Sequence, residues 1–139
     1  MESSVPWKVV SLPQVQRPQG NLTAVAGMDD VVPFDIARVF YLYDIPGGAA
    51  RAGHAHYQLQ ELIVSVLGAF RVVVDDGNTR DVVELNRGYT GLYVPPMVWR
   101  ELVDFSAGAV CVVMASRPYE EADYIRDHDA FLEQKAQGR

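Results

Sequence analysis

The sequence holds one cysteine, three histidines and no apolar run long enough to cross a bilayer. A lone cysteine excludes an internal disulfide and suits a reducing compartment. Cys111 sits inside the apolar run Ala109–Ala115 and reads as a small buried hydrophobe. Basic residues are the minority, 12 Lys and Arg against 18 Asp and Glu, for a formal charge of -6. That balance argues against a non-specific nucleic-acid surface, which needs concentrated positive charge. A few arginines lining a pocket could still hold a small anion. With no apolar signal segment at the N-terminus, a soluble cytoplasmic protein outside the membrane is the expectation.

The 139 residues are 49% hydrophobic, enough for one domain spanning 1–139 with a real core. Short β-prone runs recur at close spacing: 7–12, 21–26, 34–43, 62–67, 70–75, 81–85, 91–94, 98–105 and 109–115. Pro13–Gly20 reads as loop, and Pro46-Gly-Gly48 and Asp76-Gly-Asn-Thr79 as turns. This rhythm predicts an all-β sandwich or barrel rather than alternating β and α units. The tail, 119–137, is rich in Glu, Asp, Lys and Ala, with Ile125 and Leu132 seven apart, and is expected to form one or two short helices packed on the barrel or a neighbouring subunit.

The stretch Arg51-Ala-Gly-His-Ala-His-Tyr-Gln-Leu-Gln-Glu61 carries two of the three histidines, one residue apart. On an extended strand, His54 and His56 share a face. Two such imidazoles can ligate a metal or move protons for a bound substrate. A purely structural role is poorer, because each buried ring needs a hydrogen-bond partner. The spacing Gly48-x5-His54-x-His56-x4-Glu61-x6-Gly68 resembles the first signature of the cupin superfamily. That resemblance implies an antiparallel jelly-roll barrel. In metal-binding cupins the two histidines, the glutamate and a later histidine are ligands. The later position falls in Pro95-Pro-Met-Val-Trp-Arg100 and is filled by Arg100. A guanidinium has no lone pair to donate and repels a cation. Three donors could still hold a catalytic metal, so the metal reading stays open beside a metal-free pocket.

Further blocks narrow the resemblance: Arg-Ala-Gly-His-Ala-His, Val-Val-Val-Asp-Asp-Gly, Gly-Leu-Tyr-Val-Pro-Pro-Met-Val-Trp, Asp-Phe-Ser and Arg-Pro-Tyr-Glu-Glu-Ala-Asp-Tyr-Ile-Arg. From about Val9 to Leu132 the chain is similar to the dTDP-4-keto-6-deoxyglucose 3,4-ketoisomerases. The resemblance implies an enzyme of amino-deoxysugar biosynthesis, for antibiotics or surface polysaccharides. It would act on a nucleotide-linked 4-keto-6-deoxyhexose without metal or other cofactor. A base takes the carbon-3 proton to give an enediol, and a proton returns to carbon 4. Imidazole suits both steps. His54 is expected as base, His56 as oxygen shuttle and Tyr41 as an added hydroxyl, with Tyr43 beside it. Arg51 and Arg100 are expected on developing oxyanion charge or the pyrophosphate. Arg38, Trp99, Glu61 and Gln19 complete the expected substrate contacts. Gln19 and Arg100 stand where the family sets product stereochemistry; the arginine resembles the gluco-type enzymes, whereas Gln19 matches neither expected pattern.

Three positions depart from the family: Ala52 for its usual glycine, Tyr57 for a basic residue, and Glu61 for glutamine. Glu61 keeps the metal reading alive, and it would also orient a histidine and raise its pKa. Competing readings are a metal-dependent cupin enzyme, a 3,5-epimerase and a silent nucleotide-sugar binding module. A homodimer is expected, with residues 7–12 free to exchange onto a partner's sheet edge.

Overall fold

The computed structural model describes residues 4–138. Its strands are β1 (Lys8–Ser11), β2 (Val15–Arg17), β3 (Gly20–Leu22), β4 (Arg38–Leu42), β5 (Arg51–His56) and β6 (Glu61–Leu67). They continue as β7 (Phe70–Asp75), β8 (Arg80–Leu85), β9 (Thr90–Val94), β10 (Trp99–Val103), β11 (Val110–Ala115) and β12 (Tyr124–Ile125). One helix follows, α1 (His128–Gln137). Among the described residues no helix is long and apolar enough to cross a membrane.

Two five-stranded antiparallel sheets dominate, in the orders β1-β9-β6-β11-β4 and β12-β5-β10-β7-β8. Alternate side chains of each sheet meet in one core: Ile63, Leu92 and Val113 from the first, Phe70, Val72 and Val74 from the second. The all-β expectation holds. Two outer layers close the faces that the core leaves. Val32 and Phe34 cover Leu62, Val64 and Met114 outside the first sheet. Helix α1 lays Phe131 over Ala55, Trp99 and Ile125 outside the second. The Asp127 carboxylate starts that helix by accepting the Ala130 N–H at 3.0 Å.

The tail holds the expected short C-terminal helix and corrects its extent. Only His128–Gln137 is α-helical, whereas Glu121–Asp123 is a single 3₁₀ turn and Tyr124–Ile125 is a strand. Strand β12 pairs with β5, Tyr124 opposite His56 and Ile125 opposite Ala55. A two-residue strand has too few alternations to leave a pattern, so the acidic, alanine-rich composition pointed to helix. Ile125 and Leu132 do not share a helical face; the helix residue that anchors the tail is Phe131.

The expected loop 13–20 contains β2 and meets β3 in a hairpin whose residues are all exposed. Strand β3 ends at Leu22, short of the expected 26. Without a buried face, neither strand of this hairpin has a hydrophobic period to read. Strand β1, expected as an exchange arm, pairs with β9 of its own chain, from Lys8 opposite Tyr93 to Ser11 opposite Thr90.

Candidate active site

One end of the barrel opens into a cavity of about 510 Å³. Phe40, Leu42, Ile63, Leu102 and Val113 form its apolar wall; Arg51, His54, Glu61, Arg100, Tyr124 and Arg126 supply the polar groups. Strand alternation explains most of this set. On β4, Phe40 and Leu42 face the cavity and Tyr41 faces outward, 61% exposed, its ring 5.9 Å from that of Tyr43 and tilted against it. On β10, Arg100 and Leu102 point inward while Trp99 packs outward, its ring 5.9 Å from that of Phe131.

Alternation alone would place Arg51 and His54, three apart, on opposite faces. A β-bulge brings them together. Arg100 pairs with His54 and Leu102 with Arg51, so three steps on β5 span two on β10. Gly53 lies within this bulge. A Cβ there would come within 2.6 Å of both Glu101 Cγ and Trp99 Cζ2.

His54 stands half-buried on the cavity wall, with His56 behind it and completely buried. Their ring centroids are 4.9 Å apart and edge-on, and Tyr124 lies against both, at 5.1 and 4.3 Å. Burial, with the Arg100 guanidinium beside it, pushes the His56 imidazole down to about 2. The ring is therefore neutral. Asp123 Oδ2 lies 3.3 Å from His56 Nδ1. Apart from that ion-pair contact with Asp123, neither ring nitrogen of His56 makes a hydrogen bond among the described residues. A buried imidazole left unsatisfied is costly and calls for a functional explanation. Asp123 is itself fixed, accepting the backbone N–H groups of Gln58 at 2.9 Å and Leu59 at 3.1 Å.

Arg100 is 2% exposed. Its Nη1 donates to Glu61 Oε1 in a short contact, and Nη2 and Nε donate to the Val98 carbonyl at 2.9 and 3.3 Å. Burial pulls the guanidinium's pKa below its ordinary value, and the Glu61 carboxylate offsets part of that. At the cavity rim Arg126 donates twice to Glu121, both at 2.8 Å, and its guanidinium lies 4.1 Å over the Tyr124 ring. This double anchor holds a planar cation over the mouth. Arg126 in turn keeps the Glu121 carboxyl down at about 2.

The family described as FdtA, WxcM-like C-terminal, matches residues 6–136. The chain belongs to this 3,4-ketoisomerase family. The TDP-4-oxo-6-deoxy-alpha-D-glucose-3,4-oxoisomerase of Aneurinibacillus thermoaerophilus is 40% identical over 124 residues, 89% of this chain and 88% of that protein. The fold superposes on QdtA, a sugar 3,4-ketoisomerase from Thermoanaerobacterium thermosaccharolyticum solved with TDP, at a TM-score of 0.92. That match is 31% identical and covers 98% of each chain. The TDP-quinovose 3,4-ketoisomerase WlaRB of Campylobacter jejuni is 35% identical, with a TM-score of 0.88 over 92% of this chain and 98% of its own. The cupin-like architecture is thus that of a ketoisomerase.

Within this FdtA-family cavity the expected residues divide. His54, Arg51, Glu61 and Arg100 line it, with His56 directly behind. Arg100 and Glu61, expected on substrate, both line the cavity and also bind one another. Tyr41 and Trp99 lie on outer faces because strand alternation turns them away. Gln19 sits in the exposed β2–β3 hairpin, outside this chain's cavity lining. The Arg38 guanidinium lies 5.0 Å over Phe40 and 5.6 Å over Tyr119, outside the lining. Asp123, Tyr124 and Arg126 were missed, although all three stood in the Asp-Tyr-Ile-Arg block. His128, the third histidine, bonds Asp75 at 2.9 Å beneath α1.

The metal pattern of cupins can be tested on this donor set. His54, His56 and Glu61 bring ligand atoms within 4.8 Å of one another. The set does not fit a resident metal, because Glu61 is bound by a buried guanidinium whose charge opposes a second cation.

Proposed function

We propose that this chain isomerises dTDP-4-keto-6-deoxy-D-glucose to the dTDP-3-keto-6-deoxy sugar of gluco configuration, without metal, through an enediol. The observation that carries the reading is His54 on the cavity wall with the buried His56, held by no hydrogen bond among the described residues, behind it. A cavity of about 510 Å³ is of the size that holds a small organic ligand. The sugar lies against the apolar wall. Arg51 and the anchored Arg126 take the pyrophosphate at the mouth.

His54 removes the proton from carbon 3, which the carbon-4 ketone acidifies, and an enediolate forms. A proton then adds to carbon 4. The hydroxyl proton leaves oxygen 3 and one arrives at oxygen 4, so the product is an isomer and no redox partner enters. Tyr124 and His56 move these oxygen protons: the tyrosine touches both rings, and a neutral imidazole can give one proton while taking another. Tyr124 thereby takes the part that the sequence suggested for Tyr41.

The gluco assignment rests on Arg100 and on likeness to the TDP-quinovose enzyme, quinovose being 6-deoxyglucose. We also propose a homodimer in which the projecting β2–β3 hairpin, with Gln19 near its tip, packs on a partner. Val15 and Leu22 of that hairpin are exposed. A second cavity of about 580 Å³, lined by Leu12, Val64, Val66 and Tyr89 on the outer face of the first sheet, can receive a partner's side chains.

The function is tested by incubating the protein with dTDP-4-keto-6-deoxyglucose in deuterium oxide and following the sugar by NMR. A 3-keto product with deuterium at carbon 4 is expected, and deuterium at carbon 3 only in 4-keto sugar that re-forms from it. Exchange at carbons 3 and 5 would replace the reading with 3,5-epimerisation. His54→Asn isomerising at the full rate would refute the assigned base.

A further inference from the structure

Four features of the barrel converge on a role for Arg100 beyond the isomerase chemistry. Three metal-competent donors, His54, His56 and Glu61, already lie within 4.8 Å of one another. Both nitrogens of His56 are buried and make no hydrogen bond among the described residues, Nδ1 lying 3.3 Å from the Asp123 carboxylate. Glu61 is 3% exposed, so its carboxylate needs a cation within contact distance. The Arg100 guanidinium is that cation, held from behind by the Val98 carbonyl.

We propose that Arg100 is the built-in cation of a divalent-metal site: its side chain meets the electrostatic demand of a two-histidine, one-carboxylate donor set and keeps metal out. Removing the guanidinium converts the wild-type barrel into a site for a first-row divalent transition ion. Neutral imidazoles and a carboxylate are the donor types such ions take, and the open positions are filled by water. In Arg100→Ala the three donors remain and space opens for the ion. In Arg100→His a fourth donor starts from the strand position paired with His54. The proposal stands apart from the isomerase reading, since it concerns which cation the donors hold.

Cobalt chloride is the probe, because Co²⁺ reports its coordination through visible absorption. Wild type, R100A, R100H and R100A/E61Q are titrated by calorimetry and spectroscopy, with melting followed in parallel. Wild type is expected to show no saturable binding. R100A and R100H should each bind one Co²⁺ per chain, with ligand-field bands and a rise in Tm on adding metal. E61Q on the R100A background should abolish the spectrum. Saturable single-site binding by wild type would overturn the proposal, as would folded R100A and R100H that take up no cobalt. So would cobalt binding that survives E61Q, because the carboxylate is a required donor. If neither Arg100 variant folds with or without cobalt, the metal does not replace the guanidinium, and the proposal fails.

Discussion

Replacing Glu61 by glutamine isolates the electrostatics at the centre of the barrel. Glutamine keeps the volume and one acceptor oxygen, but leaves the Arg100 guanidinium as a bare charge at 2% exposure. Deleting one partner of a buried pair costs about 3–5 kcal/mol, because the surviving charge keeps its desolvation penalty and loses its counter-ion. For a domain of this size that is a fall in Tm of roughly 10–15 °C. Urea unfolding should show a lower midpoint at unchanged slope. The double variant Glu61→Leu/Arg100→Met removes both charges at similar volume and should recover most of the loss. A single variant within about 0.5 kcal/mol of wild type would refute the reasoning. A double variant no more stable than Glu61→Gln would do the same.

Three further outcomes are expected. Tyr124→Phe should lower kcat by about 100-fold or more, the scale of a positioned proton donor, while Tyr41→Phe leaves it unchanged; equal effects in steady-state assays would remove Tyr124 from the relay. Gly53→Ala forces a methyl to within 2.6 Å of the Trp99 indole and should cost about 1–3 kcal/mol, with kcat falling as the bulge shifts His54; wild-type melting and turnover would show that the bulge tolerates a side chain. For pH, the folded His56 ring titrates near 2 against an ordinary 6.5, so between those values the unfolded chain binds the extra proton. Its stabilising contribution is complete above the ordinary value and shrinks as pH falls, by up to about 1.4 kcal/mol per unit. Urea unfolding at pH 7, 6 and 5 should show a shallower loss in His56→Asn than in wild type, and parallel slopes would contradict the buried neutral ring.

Strand positions were legible because glycine-, proline- and asparagine-rich turns punctuate them. The shared direction of His54 and His56 followed from alternation on one strand. Arg51 joined them for a reason no alternation rule contains, the extra residue between it and His54. The outward turn of Tyr41 was ambiguous in sequence, since Phe40 and Leu42 offered an equally apolar alternate face. Asp123 and Tyr124 depended on β12, whose two residues carry no period. The Glu61–Arg100 pair spans 39 positions and has no local signature. A signal for it existed, however: opposite charges at two positions that the histidine motif directs to one point. Arg100 was read against a metal and toward the substrate, and Glu61 toward a metal, a histidine and the substrate, but neither toward the other.

The most direct test of the central claim is the NMR spectrum of dTDP-4-keto-6-deoxyglucose treated in deuterium oxide with protein dialysed against a metal chelator. The account predicts a gluco-configured 3-keto product with deuterium at carbon 4, formed at the undialysed rate. Loss of the reaction on chelation, restored by a divalent metal, would contradict it.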